Sequence, residues 1–126
     1  MLSNNNYINN YNELGRNFLK NYYSYRNNNI KNTYSFFNKE CFITFFGFEI
    51  MGFNNYINKL DELSLHQMKF NINSFFVQPI NINSLLINVN GTYLLNNNYI
   101  NYNESLIIKK NLFDKFLIHN SIFIKC

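Results

Sequence analysis

The groups able to do chemistry in this 126-residue chain are few and dispersed. The carboxylates are Glu13, Glu40, Glu49, Asp61, Glu62, Glu104 and Asp114, and most fall at predicted helix ends or turns, where solvation is the default. Glu104 alone opens a predicted inward-facing strand. With ten tyrosines in the chain, a Tyr–acid pair suited to proton abstraction is easily reached. His66 follows a predicted helix and His119 lies in the last predicted strand. With Cys41 or Cys126 they name a nucleophile and a base, yet no local pattern joins them. The same four residues lack metal-ligand spacing. The two thiols form no Cys-x-x-Cys pair, which fits reduced cysteines of the cytosol or nucleus. Gly47 and Gly52 bracket a hairpin, and Gly91 inside a strand points to a bend or bulge. None of these glycines belongs to a phosphate-cradling loop. No catalytic residue, metal or cofactor is therefore expected.

Elements that could position these groups must come from an unusual residue pool. The chain holds 29 asparagines, 15 isoleucines, 14 phenylalanines and no alanine, a bias that codon supply explains as readily as function. Its 47% hydrophobic and 19% aromatic content excludes a disordered chain, and 2 cysteines exclude a disulfide scaffold. The net charge of +4 is spread along the chain, with Lys109-Lys110 the one adjacent pair among the cations considered. No basic stripe for phosphates results. The start has no signal-peptide pattern, and no run approaches the ~20 apolar residues of a membrane span. Direct nucleic-acid binding and membrane insertion are not expected.

Periodicity predicts the order of elements. Tyr7, Tyr11, Leu14, Phe18, Tyr22 and Tyr25 form a helical stripe that Asn27-Asn28-Asn29 ends. A short helix follows from Ile30 to Phe37. Cys41–Phe46 and Phe48–Met51 read as a hairpin about Gly47, and Phe53, Tyr56, Ile57, Leu60 and Leu63 restore the helical period. The remainder alternates: strands over Met68–Val77, Ser84–Leu95, Ser105–Lys110 and Lys115–Ile124, with a polar loop starting at Asn96-Asn97-Asn98. Two helices, a hairpin, a helix and a four-stranded antiparallel meander make an α+β chain. Several strands carry bulky residues on both faces: Leu86 and Leu94 oppose Leu85 and Ile87, and Phe75 and Val77 oppose Phe70 and Ile72. A second copy or a partner should cover the outer face.

The order Leu14-Gly15-x-x-Phe18-x-x-x-Tyr22-Tyr23, Ile43-Thr44-Phe45-x-Gly47, Gly52, Ile57-x-x-Leu60, Gln78-Pro79 and Asn88-x-x-Gly91 resembles the nuclear transport factor 2 family. The register runs without a gap from Gly15 to Gly91. It resumes at Glu104-Ser105-Leu106-Ile107-Ile108 and at Asn120-Ser121-Ile122-Phe123. The resemblance implies one domain over residues 1–126, leaving open the order of residues 1–6. Its implied fold is a cone-shaped α+β roll, with three helices on a strongly bent antiparallel sheet around an apolar cavity. It also implies a homodimer through the sheet face, or a heterodimer with a larger protein of the same fold.

Similar proteins carry the GDP form of the small GTPase Ran and bind phenylalanine–glycine repeats of nucleoporins, with an aromatic of the first helix taking part. Tyr11 matches that aromatic; the other reading of Tyr11 is a core stripe residue. The Ran carrier has acids where this chain has Phe46, Asn96, Asn97 and Asn98, and their loss weakens Ran-GDP as a partner. A related branch, the small cofactor of the mRNA export receptor, does without them. The expectation is a non-enzymatic nucleocytoplasmic transport factor of the nucleus, nuclear pore and cytoplasm. Tyr11 would meet nucleoporins, and a cavity mouth near Phe46, Asn96 and Asn98 would meet a protein partner. The alternative is a cavity-based small-ligand binder, isomerase or dehydratase on the same fold. A third reading is a degenerate relative that serves only to dimerise.

Overall fold

The first helix, α1 (Asn4–Asn28), turns Tyr11, Gly15, Phe18, Leu19, Tyr22, Tyr23 and Arg26 inward. The computed structural model describes residues 4–126, with side chains from Asn10 onward. The order of residues 1–3 and the side chain of Tyr7 lie outside what is described. The predicted stripe ends on Tyr25, but Tyr25 is 52% exposed and Arg26 only 2%. The helical period decides the matter. Arg26 stands four residues beyond Tyr22 and three beyond Tyr23, on the same face.

Asn27 fastens the end of α1 to the sheet. It accepts a hydrogen bond from Phe70 N–H at 2.8 Å and donates to the Phe70 carbonyl at 2.8 Å. The helix predicted over Ile30 to Phe37 is a 3₁₀-helix, Ile30–Phe36, started by Asn29, whose side chain accepts from Lys31 N–H at 3.0 Å. Such capping is what asparagine does best at a helix start. Helix α2 (Phe53–Glu62) buries Tyr56 and Leu60.

Six strands form one sheet: β1 (Phe37–Phe45), β2 (Phe48–Met51), β3 (Lys69–Asn81), β4 (Ser84–Leu95), β5 (Asn98–Lys110) and β6 (Phe116–Lys125), in the order β2-β1-β6-β5-β4-β3. The expected hairpin and meander are both present. The sheet is nevertheless mixed, because β6 returns between β5 and β1 and pairs with β1 in parallel. Alternation marks a strand but not its neighbour, so the all-antiparallel expectation failed at that pair.

Strand lengths differ from the reading for local reasons. β3 runs past Pro79 because it is an edge strand, where a missing N–H removes no ladder bond. β5 begins at Asn98, since Asn96 and Asn97, at φ of 52° and 66°, make the whole two-residue turn. The β3–β4 register shifts between Ile72 and Ser74. That bulge puts Phe75 and Val77, paired with Val89 and Ile87, on the same face as Phe70, so they do not oppose it.

Among the described residues, the expected apolar cavity is not shown. Between α1 and the sheet, Phe70, Tyr93, Tyr102 and Phe123 are all buried and pack ring on ring, with Tyr102 stacked 4.9 Å from Phe123. Gly91 makes this packing feasible. A Cβ there would lie 2.1 Å from the Asn71 carbonyl oxygen and 2.7 Å from the Tyr102 hydroxyl.

Gly91→Ala should therefore lower stability by about 1–3 kcal/mol through overpacking. The urea midpoint should fall with the slope unchanged. A variant with an unaltered midpoint would show that β3 and Tyr102 yield freely.

Candidate functional site

The strongest constellation of ionisable groups lies in the core. The last two turns of α1 contribute Tyr22, Tyr23 and Arg26, and the inward phase of β5 contributes Tyr102 and Glu104. Arg26 Nη1 donates to Glu104 Oε1 at 2.9 Å, and the Tyr23 hydroxyl donates to the same oxygen at 2.7 Å. The Tyr102 hydroxyl stands 2.8 Å from that of Tyr23. With the Tyr23 proton committed to Glu104, Tyr102 is the donor in that pair. The guanidinium carbon also sits 3.8 Å from the centre of the Phe70 ring. A cation this close to a ring is held by cation–π attraction, which the weakly hydrated guanidinium suits better than an ammonium.

Burial acts to lower the Arg26 pKa, but the Glu104 carboxylate and the neighbouring phenols hold it well above its usual value. Burial raises Tyr22 and Tyr23 well above the ordinary tyrosine range, and Glu104 adds to both. Tyr102 is pushed up to about 12, by burial first and Glu104 second. The cluster is thus a carboxylate facing its own counter-ion behind a wall of rings. Such a pair holds α1 against β5. In this conformation Glu104 Oε1 is taken by two donors and presents no free face to a substrate.

The sequence placed Glu104 inward correctly, but counted Arg26 among scattered cations. The available signal was its spacing from Phe18 and Tyr22, which sets a charge on the apolar stripe. Among the described residues, no group of three or more His, Cys, Asp or Glu could hold a metal.

The sequence-predicted contact residues are divided between core and surface. Tyr11 is 5% exposed and packs within the core, as a stripe residue would. Phe46 occupies the β1–β2 turn at φ 50°, a region that bulky side chains rarely enter. Its ring is half-buried, 4.7 Å from the Phe45 ring and 6.3 Å from the Tyr93 ring. Asn96 and Asn98 are exposed, and the Asn98 amide donates to the Asn96 carbonyl at 3.4 Å. Tyr93 lies three residues before Asn96, so Phe46 and the two asparagines share one end of the sheet. They surround packed rings there, and a pocket lined by Thr44, Phe46, Gly47, Ile122 and Ile124 opens beside Phe46.

The outer face of the sheet carries a feature that composition concealed. Asn88 and Asn103 exchange amide hydrogen bonds at 3.1 Å, Asn88 also donates to Ser105 at 2.9 Å, and Asn103 donates to Asn90 at 2.8 Å. Exposed Phe76, Ile122 and Ile124 flank this network, with half-buried Leu86 and Ile107 beside it. The period-two recurrence of asparagine at 88 and 90, and at 101 and 103, was the available signal.

A model of the nuclear transport factor 2 (NTF2) domain matches residues 14–124. No curated protein matches the sequence significantly. Among solved structures, nuclear transport factor 2 from Cryptosporidium parvum superposes with a TM-score of 0.82 at 19% identity, covering 92% of this chain and 94% of that one. A chain in the complex of the yeast deubiquitinase Ubp3 with its Bre5 cofactor gives 0.74 at 16%, covering 91% and 96%. A candidate ketosteroid isomerase from Shewanella frigidimarina gives 0.72 at 12%, covering 87% and 94%. At these identities the likeness is one of fold, and the fold serves binding proteins and proteins assigned as enzymes alike.

Two measurements check the buried cluster. Arg26→Met leaves Glu104 buried without its counter-ion and should cost about 3–5 kcal/mol, while Arg26→Met with Glu104→Leu should restore most of it. Equal losses in the single and double variants would deny the coupling. In the native state Tyr22, Tyr23 and Tyr102 keep their protons beyond the tyrosine pKa of about 10, where the unfolded chain releases them. Stability should be full below about pH 10 and fall as pH rises toward the Tyr102 value of about 12. The part of the phenolate absorbance that comes from the buried tyrosines should rise together with loss of helical circular dichroism. Ionisation of the buried phenols in a still-folded chain would contradict the assignment.

Proposed function

The chain belongs to the nuclear transport factor 2 domain family, and from that premise we propose that it is a non-enzymatic nucleocytoplasmic transport factor. It works as a dimer, with itself or with a larger protein of the same fold. The observation that carries this reading is the uncovered outer face of the sheet, where the asparagine–serine network is framed by Phe76, Ile122 and Ile124. Amide pairs give such a face register, and the flanking apolar groups give it association energy. Phenylalanine–glycine repeats of nucleoporins bind the surface around Tyr11, whose own ring serves to pack α1.

The cargo-side partner meets the end that holds Phe46, Asn96 and Asn98. That end offers no carboxylate at those positions to the lysines of Ran-GDP, which favours an mRNA export receptor over Ran. The chain then resides in the nucleus, at the nuclear pore and in the cytoplasm. The reading as a small-ligand binder, isomerase or dehydratase needs an ionisable pair open to a cavity. Here the Arg26–Glu104 pair is closed on itself, which favours the binding role.

Sedimentation should find a dimer, and Phe76→Asp with Ile122→Asp should shift it to a folded monomer. Immobilised phenylalanine–glycine repeats should retain the chain, and GDP-loaded Ran should not do so at low salt. Failure to bind the repeats would remove the transport reading; firm binding of Ran would replace export by import.

A further inference from the structure

Opposite Phe46, the other end of the sheet carries the β3–β4 and β5–β6 turns. They are neighbours, since Ser84 pairs with Lys109 and Lys110 N–H donates to the Asn83 carbonyl at 2.8 Å. Their apices are apolar. Leu112 is fully exposed, Phe113 is 88% exposed, and Ile82 and Ile80 follow at 73% and 51%. Ile80 lies at the end of β3, and the turns that carry Ile82, Leu112 and Phe113 are built by asparagine side chains. Asn111 Oδ1 accepts from Phe113 N–H at 2.9 Å and Lys115 N–H at 3.0 Å, and Asn81 Oδ1 accepts from Asn83 N–H at 2.9 Å. Lys109, Lys110 and Lys115 stand beside the tips, with Asp114 the one acid in that turn. The adjacent lysine pair, which had no role in the sequence reading, thus borders the most exposed apolar groups of the described chain.

From this arrangement we propose that this end of the sheet docks on an anionic lipid bilayer. The apolar tips enter the headgroup layer, and the three lysines meet the lipid phosphates. The chemistry favours a bilayer over a protein partner. The tips protrude, so a protein would need a matching concavity, whereas the interfacial layer accepts protruding apolar groups ringed by cations. The contact is shallow and involves no spanning segment; no helix among the described residues is long and apolar enough to cross a membrane. It goes beyond the expectation of no membrane insertion, which considered spanning runs alone. The proposal stands apart from the partner-binding end and does not depend on the transport reading.

Sedimentation with phosphatidylcholine vesicles, with and without phosphatidylserine, tests it. The full chain should bind the phosphatidylserine-containing vesicles, and binding should weaken as salt rises. Leu112→Asp with Phe113→Asp should reduce binding at least about tenfold, as should Lys109→Glu with Lys110→Glu and Lys115→Glu. Tyr99→Ser, at an exposed aromatic at the opposite end of β5, should leave it unchanged. Unaltered melting temperatures should show that these surface variants fold. Three results would overturn the proposal: no binding by the full chain, equal binding by the tip variant, or loss of self-association by the tip variant without any vesicle binding. The last would assign the tips to an interface between copies of the chain.

Discussion

A single buried ion pair sets the terms for the interior of this protein. Arg26 and Glu104 are each almost wholly removed from water, one from the last turn of a helix and the other from the middle of a sheet. Neither charge is tolerable there alone, because desolvation of an unpaired ion outweighs what packing around it returns. The pair therefore selects the one docking of α1 in which the guanidinium reaches the carboxylate. Tyr23 and Tyr102 extend the hydrogen bonding, and the Phe70 ring lies 3.8 Å from the guanidinium carbon. The rings that exclude water from the pair also occupy the space where a ligand cavity was expected. Ion-pair burial and cavity loss are thus two results of the same packing.

With the interior closed, recognition passes to the surface, and the sheet topology divides that surface. Because β6 lies between β1 and β5, the β1–β2 and β4–β5 turns gather at one end and the β3–β4 and β5–β6 turns at the other. The first end presents asparagines and a half-buried phenylalanine in a left-handed turn. The second presents largely exposed aliphatic and aromatic tips beside lysines. Between them, the outer face carries an amide network. The same residue type plays different parts according to place: Asn96 and Asn97 turn the chain, Asn27 and Asn29 cap and clamp, and Asn88 and Asn103 pair across strands.

Much of this is legible in the amino-acid sequence. The span Ser84–Leu95 was read to its ends because strict alternation between two turns leaves little choice. The hairpin about Gly47 was equally plain. The stretch from Asn98 to Glu104 was not, since asparagine carries little strand preference and its alternation with tyrosine and isoleucine was masked by composition. Phe75 and Val77 were assigned to the wrong face because a one-residue bulge inverts the phase downstream of it. Glu104 was legible as inward by phase. Arg26 was missed because a helical stripe was traced through its aromatics alone.

What the sequence determined by itself was local: where periodicity changes from helix to strand, where glycine and asparagine interrupt it, and which family order those elements follow. These depend on neighbouring residues and so survive in the linear text. The tertiary structure alone decided that β6 pairs with β1 in parallel, that Arg26 finds Glu104, and that rings occupy the expected cavity. Those outcomes join residues dozens of positions apart. They depend on which faces meet and how much room remains, quantities that no local pattern encodes.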